Sequence, residues 1–167
     1  MKELIRDIII VVLVAVCIIT LVKPIIVKKT SMEPTLYEND YLMISKQAYT
    51  IFGEPERGDI VVFPHVEGNI TELYIKRVIG LPGETITITN GLVYINGEPI
   101  SEAYTKDGIT LGEVKDYVVP AGKVYVLGDN REVSVDSRSK EIGCIGIDEI
   151  TGKAVLRVFP FGKFGFV

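Results

Sequence analysis

A serine near the start of the chain and a lysine in a strand-like segment are the residues best suited to hydrolytic chemistry. Ser31 lies in TSMEPTL, where Pro34 holds the local backbone in an extended or turn conformation. Lys76 lies in YIKRVIG, and strand alternation places it on one face with Tyr74 and Val78. Burial among such side chains penalises the charged form of a lysine and lowers its pKa. A neutral lysine can accept the proton of a serine hydroxyl, so a serine nucleophile with a lysine base is one hypothesis.

Each of these residues also fits a simpler interpretation. Ser31 alone is typical of a turn or a helix cap, and Lys76 alone is typical of an exposed strand edge. The one histidine, His65, would be the base of a conventional triad. It lies in FPHVEGN beside Pro64 and before Gly68, which predicts a turn residue rather than a base. The residues alone therefore leave the base undecided.

A polar cluster, GDNREVSVDSR, runs from Gly128 to Arg138. It is either a solvated loop or a network of charge pairs that orients a buried lysine. Cys17 lies inside an apolar stretch and Cys144 lies far from it, so no disulfide is expected. These cysteines and His65 form no zinc-ligand spacing, so no metal or cofactor is expected either.

An apolar segment precedes these candidate residues. From Ile8 to Val22 the sequence carries no charge, and with Lys23 snorkelling the apolar reach extends to Val27, about the 20 residues that a bilayer requires. The segment lacks the small-x-small pattern of a cleaved secretory signal and the polar face of a core helix. We therefore predict one transmembrane helix. The basic residues on its two flanks leave its orientation undecided.

The sequence of the remaining chain predicts an acidic, mainly β domain. The first 29 residues hold 5 of the 18 basic and 2 of the 22 acidic residues, so 13 basic and 20 acidic residues follow them, a net charge of −7. This charge argues against binding to nucleic acid. The turns Asn90-Gly91 and Asn96-Gly97 predict hairpins, and the polar stretch from Ser101 to Lys115 predicts a surface excursion. Runs rich in β-branched and aromatic residues predict strands at Tyr41 to Ser45, Asp59 to Phe63, Leu73 to Ile79, Lys123 to Leu127 and Lys153 to Val158.

Taken in order, the apolar segment, SMEPTL, RGDIVVF, YIKRVIGLPGE and GDNREVSVDSR resemble the motifs of the bacterial type I signal peptidases. The resemblance implies that Ser31 is the nucleophile and Lys76 the general base. It implies a mainly antiparallel β core, partly closed like a barrel, with a small β insertion at about residues 84–119. It also implies one transmembrane helix before this core. The expected division is an anchor with its linker over residues 1–29 and a catalytic domain over residues 30–167.

The same resemblance implies orienting roles around the lysine. Ser134 is expected to hydrogen-bond Lys76, and Asp136 and Arg138 are expected to hold their loop through ion pairs. Arg77 is expected to pair with Asp129 or Asp136. The candidate walls of the substrate pocket, by motif position, are Met32, Leu36, Val62 and Ile75.

Lys29 departs from the family pattern. Many members have a serine or glycine two residues before the nucleophile, where it contributes to the oxyanion hole, and here that residue is Lys29. The backbone N–H of Ser31 is expected to donate to the oxyanion, with a second donor from the backbone or from Thr30.

The function implied by the resemblance is a membrane-bound serine endopeptidase that removes N-terminal signal peptides from secreted preproteins. It would cut after small residues in an Ala-x-Ala pattern, with the extended peptide added to a strand edge. Lysine as the base implies the bacterial plasma membrane, with the catalytic domain on the extracytoplasmic face. The terminal phenylalanines of VFPFGKFGFV predict either a closing strand or an apolar rim that dips into lipid.

Three alternatives remain at this point. The self-cleaving domain of SOS-type repressors also uses serine and lysine, but it has a DNA-binding segment and no anchor. The run from Ser137 to Lys140 fits the S-x-x-K of penicillin-interacting enzymes, yet their companion motifs are missing. A membrane-tethered binding module with inert Ser31 and Lys76 is the alternative from a different class.

Overall fold

A computed structural model describes residues 2–49 and 53–167 of the chain. Within them one helix, α1, spans Lys2–Leu21, and short 3-10 helices span Ile147–Glu149 and Phe161–Lys163. The twelve strands are β1 Val22–Ile26, β2 Tyr41–Ser45, β3 Ile60–Glu67, β4 Ile70–Gly80, β5 Thr85–Thr89, β6 Leu92–Ile95, β7 Glu98–Pro99, β8 Val114–Val118, β9 Lys123–Leu127, β10 Ile145–Gly146, β11 Gly152–Phe159 and β12 Gly165–Phe166.

Helix α1 is shorter than the predicted apolar reach to Val27, because the chain turns directly into strand β1 after Leu21. Pro24 explains the change, since it lacks an N–H and disfavours helical backbone at the preceding Lys23. Among the described residues, no helix combines the length and apolarity that crossing a membrane requires. The side chains of residues 14–20, which include Cys17, lie outside the described part.

The main sheet is antiparallel and contains eight strands in the order β1-β2-β11-β3-β4-β9-β10, with β12 also paired to β11. The prediction of a mainly β fold is confirmed. The described strands form an open path from β1 to β10 and not a closed barrel. Of the C-terminal phenylalanines, Phe166 lies in β12, opposite Leu156 of β11, as a closing strand requires.

His65 lies in strand β3, not in the predicted turn. It is opposite Glu72 of β4, and the turn falls later, between the end of β3 at Glu67 and the start of β4 at Ile70. Pro64 is tolerated within β3 because β11 pairs with this strand only at Val61 and Val62, which leaves one side of the strand free at the proline.

A second, four-stranded sheet in the order β7-β6-β5-β8 is formed by residues between Thr85 and Val118. Its first hairpin turns at Asn90 and Gly91, which both have positive φ angles, 52° and 79°. Asparagine and glycine tolerate this backbone region, which is why the sequence signal for the hairpin was reliable.

Two apolar clusters fix the elements that carry the candidate residues. Met32, Leu36 and Val62 pack with Leu42 and Ile44, which holds the segment after β1 against β2 and β3. In the second cluster, β3 packs against β4 through apolar side chains. Its members are Val61, Phe63, Tyr74, Val78, Val124, Val126 and Ile145. Because β3 contributes to both clusters, it connects the segment that carries Ser31 with the strand that carries Lys76.

Candidate active site

Ser31 and Lys76 are in direct contact. The Nζ atom of Lys76 lies 2.6 Å from the Oγ atom of Ser31, within a hydrogen bond. Ser31 lies in a turn that is closed by the hydrogen bond from Glu33 N–H to the Thr30 carbonyl, and the next turn is closed from Leu36 N–H to the Met32 carbonyl. Its own carbonyl accepts the backbone N–H of Asn130. The turn is thus tied both to the core and to the polar loop of residues 128–138.

Lys76 is almost fully buried, at 3% exposure, in the middle of β4 opposite Val61. Burial lowers the pKa of Lys76 from 10.5 to about 8. The carboxylates of Asp136 and Asp129 act in the opposite direction, and the positive charges of Lys29 and Arg138 lower the pKa further. Near pH 8, about half of the Lys76 side chains are neutral and able to accept a proton.

Arg77 pairs with Asp129, one of its two expected partners. Its guanidinium forms a fork on the carboxylate, with Nε–Oδ1 at 2.8 Å and Nη2–Oδ2 at 2.6 Å. Asp129 is fully buried and also accepts the hydroxyl of Thr35 at 2.5 Å. Because Thr35 follows Ser31 in its turn and Arg77 follows Lys76 in β4, this network locks the two candidate catalytic segments together.

Asp136 and Arg138 form the expected ion pair. Arg138 Nε and Nη2 donate to the two carboxylate oxygens at 2.8 and 2.9 Å. Asp136 also accepts the backbone N–H of Gly128 at 3.1 Å, and Arg138 donates to the carbonyls of Leu111 and Arg131. The pair fixes the conformation of the polar loop around Lys76.

Ser134 does not form the hydrogen bond expected with Lys76. Its hydroxyl is buried and has no partner among the described residues. It nevertheless borders the dyad through Gly128, because a Cβ on that glycine would collide with Ser134 Oγ and lie 2.5 Å from the Ser31 carbonyl oxygen. Only glycine allows the two serines to approach this backbone so closely.

An open groove of about 830 Å³ contains both Ser31 and Lys76 in its lining. One wall is the segment of residues 23–32, which includes β1, and the other is residues 70–76 of β4. Of the four residues expected to form the substrate pocket, Met32 and Ile75 line the groove. Leu36 and Val62 do not line it; their side chains are fully buried in the same apolar cluster as Met32.

Sequence reasoning missed Arg131. It is 3% exposed, and it donates to both carboxylate oxygens of Glu102, at 2.6 and 3.0 Å, to the hydroxyl of Thr110 and to the carbonyl of Gly128. The stretch expected to be a surface excursion is therefore partly packed against the polar loop, with Thr110 buried. The sequence signal that could have predicted this contact was the polarity of that stretch, because its polar side chains could pair with the arginines of the polar loop.

This chain is similar in sequence and structure to known proteins. The family model described as signal peptidase, peptidase S26, matches residues 1–159. Signal peptidase I of Bacillus licheniformis is 38% identical over 171 residues, 96% of this chain and 90% of the relative. Signal peptidase I T of Bacillus subtilis is 39% identical over 153 residues, 86% of this chain and 77% of the relative. A crystal structure of a signal peptidase I from Enterococcus faecalis matches with a TM-score of 0.50 and 32% identity, over 60% of this chain and 96% of that one.

A mainly β domain with this groove and these relatives is a serine peptidase, which is a hydrolase. The chain belongs to the signal peptidase family, peptidase S26. The resemblance drawn from its motifs is confirmed.

Proposed function

We propose that this protein is a membrane-bound signal peptidase I that removes N-terminal signal peptides from secreted preproteins with Ser31 and Lys76 as its catalytic dyad. The observation that carries the proposal is the 2.6 Å contact between Lys76 Nζ and Ser31 Oγ, made by a lysine that is almost fully buried. A structural lysine at a solvated strand edge has neither feature.

The dyad accounts for both halves of a peptide hydrolysis. Neutral Lys76 takes the proton of Ser31 as Oγ attacks the scissile carbonyl, and the backbone N–H of Ser31 donates to the developing oxyanion. The resulting Lys76 ammonium then protonates the leaving amine. In the second half, neutral Lys76 takes a proton from water as the water oxygen attacks the acyl carbonyl, and the Lys76 ammonium returns that proton to Oγ as the ester bond to Ser31 breaks.

Both walls of the groove present free strand edges to an extended peptide. Among the described strands, β1 pairs only with β2, and β4 pairs with β9 only from Arg77 onwards, so no described strand pairs with the β4 edge over residues 70–76. The backbone of Val78 bonds towards β3, so by alternation Ile75 and Leu73 direct their N–H and C=O groups into the groove. A peptide added at these edges would lie beside Ser31.

Cleavage after small residues follows from the side chains at the groove. Met32 and Ile75 line the groove that contains the dyad, and their apolar side chains would favour small apolar residues in the Ala-x-Ala pattern. Leu36 and Val62 support these two side chains from the core and do not touch the substrate.

The membrane part of the proposal rests on α1 and its sequence. Residues 1–29 carry the anchor and its linker, and residues 30–167 carry the catalytic domain with an insertion at about 84–119, on the extracytoplasmic face of the bacterial plasma membrane. Strand β1 lies within the proposed linker and pairs with β2 of the main sheet, so the linker would be held against the catalytic domain. Phe161, Phe164 and Phe166 are 81%, 63% and 90% exposed and supply an apolar rim.

The decisive experiment is the cleavage of a peptide with an Ala-x-Ala junction by the detergent-solubilised full chain. Ser31→Ala and Lys76→Ala should each abolish cleavage while circular dichroism stays native, because the nucleophile and the base act as one unit. His65→Ala is the control and should retain activity. Near-normal turnover by Lys76→Ala or Ser31→Ala would refute the dyad, and the absence of cleavage by the folded wild-type chain would favour the binding module.

A further inference from the structure

An ion pair joins the two walls of the groove. Lys29 stands on the wall that leads to Ser31 and Glu72 stands on β4, and Lys29 Nζ lies 2.5 Å from Glu72 Oε2. The pairing raises the pKa of Lys29 and lowers the pKa of Glu72, since each charge stabilises the other. Both side chains are charged at neutral pH, so the contact crosses an opening that an extended peptide would have to enter.

The Lys29 ammonium also lies close to the dyad, because it shares the ring of Tyr74 with Lys76. Its Nζ lies 4.7 Å from the centroid of the Tyr74 ring, and Lys76 Nζ lies 5.3 Å from the same centroid. One aromatic ring thus contacts both ammonium groups, which places the second positive charge close to the proposed base.

We propose that the Lys29–Glu72 pair is a clasp across the groove, which a peptide substrate must open in order to bind. The proposal rests on the proposed function, because it assumes that an extended peptide occupies the groove. It makes Lys29 and Glu72 positioning residues that govern substrate affinity, and it gives a role to the lysine that departs from the family pattern.

The clasp is weak enough to be opened by a substrate. The Lys29 and Glu72 side chains are 55% and 41% exposed, and exposed ion pairs change an equilibrium by at most about fivefold. Salt screens such pairs, so added salt should open the clasp. An acidic side chain on the peptide can replace Glu72 as the partner of Lys29, so acidic peptides should open it more readily than neutral ones.

The dependence of activity on pH measures the effect of the Lys29 charge on Lys76, independently of substrate affinity. The charges that act on Lys76 are Asp136 and Asp129, which raise its pKa, and Lys29 and Arg138, which lower it. Lys29→Gln removes a positive charge, so the activity profile should move to higher pH. The matched change Glu72→Gln leaves the Lys29 ammonium unneutralised, so the profile should move to lower pH.

The test measures KM, kcat and the pH profile of the full-length enzyme in detergent, with one neutral and one acidic Ala-x-Ala peptide. Lys29→Gln and Glu72→Gln should each lower KM for the neutral peptide about two- to fivefold, while shifting the pH profile in opposite directions. Salt should lower KM of the wild type and have little effect on either variant. The control is Lys106→Gln, which breaks a lysine–glutamate pair to Glu33 at 2.9 Å outside the groove lining and should leave KM and its salt response unchanged.

An unchanged or raised KM in both variants would overturn the clasp, since the pair would then lie beneath the bound peptide or outside its path. If both variants moved the pH profile in the same direction, the effect of the Lys29 charge on Lys76 would be refuted. These failures are distinct from failure of the proposed function, because the variants would still cut the peptide and Ser31→Ala would still abolish the cut.

Discussion

Replacing Lys76 by methionine should destroy activity and stabilise the fold. The pKa of Lys76 is about 8 in the folded protein and 10.5 when unperturbed, so the unfolded chain binds more protons between these two values. The free energy of unfolding of the wild type therefore rises with pH across that window and is reduced by the full cost of the buried ammonium below it.

The size of the effect follows from the shift. At 1.36 kcal/mol per pKa unit, the buried ammonium costs on the order of 3 kcal/mol at pH 6.5. Methionine removes this cost but also removes the hydrogen bond to Ser31, which is worth about 1 kcal/mol. The expected net gain in the free energy of unfolding is roughly 2 kcal/mol, or about 4 to 8 °C in Tm for a chain of this size.

The assay is thermal unfolding of wild type and Lys76→Met in detergent, followed by circular dichroism at pH 6.5 and pH 9.5. At pH 9.5 the cost of the lysine falls to roughly 1.4 kcal/mol, so the difference in Tm should nearly vanish. An equal gain at both pH values would mean that the ammonium is not the source of the cost. A variant that is less stable than the wild type at pH 6.5 would refute the burial argument itself.

Three further outcomes are expected. Activity should rise through an apparent pKa near 8 as pH increases, and His65→Ala should leave this profile in place; a midpoint near 10.5, measured from initial rates, would contradict a buried base. Asp129→Asn strips the charge partner from buried Arg77 and should lower the free energy of unfolding by about 3 kcal/mol in urea titrations, whereas no change would show that the guanidinium is solvated. Phe164→Ser with Phe166→Ser should reduce the stimulation of activity by phospholipid vesicles, and an undiminished response would assign that effect to α1 alone.

The sequence predicted those parts of the site that depend on local geometry. Strand alternation placed Lys76 on the face of Tyr74 and Val78, and the hairpin at Asn90 followed from residues that tolerate positive φ. The contact between Ser31 and Lys76 joins residues 45 positions apart, so no local pattern could predict it, and the family resemblance supplied it instead.

The parts that sequence could not give depend on how separate segments meet. The packing of Arg131 against Glu102 requires the second sheet to lie beside the polar loop. The bond between Lys29 and Glu72 requires the two groove walls to face each other. The helix boundary was missed for another reason, because apolar composition outweighed the backbone constraint that Pro24 imposes.

Pro24 also determines how the groove edge of β1 behaves towards other copies of the enzyme. The bonds of Leu21 and Val27 to the β2 side imply, by alternation, that the backbone of Pro24 faces the free edge. A proline there removes one donor from the row that an edge strand offers. The edge can still hold a short peptide through its remaining groups, but it is a poor template for continuous sheet formation between neighbouring molecules. The free edge of β1 is thus available to a peptide in the proposed binding mode, while Pro24 disfavours sheet formation between two copies of the enzyme.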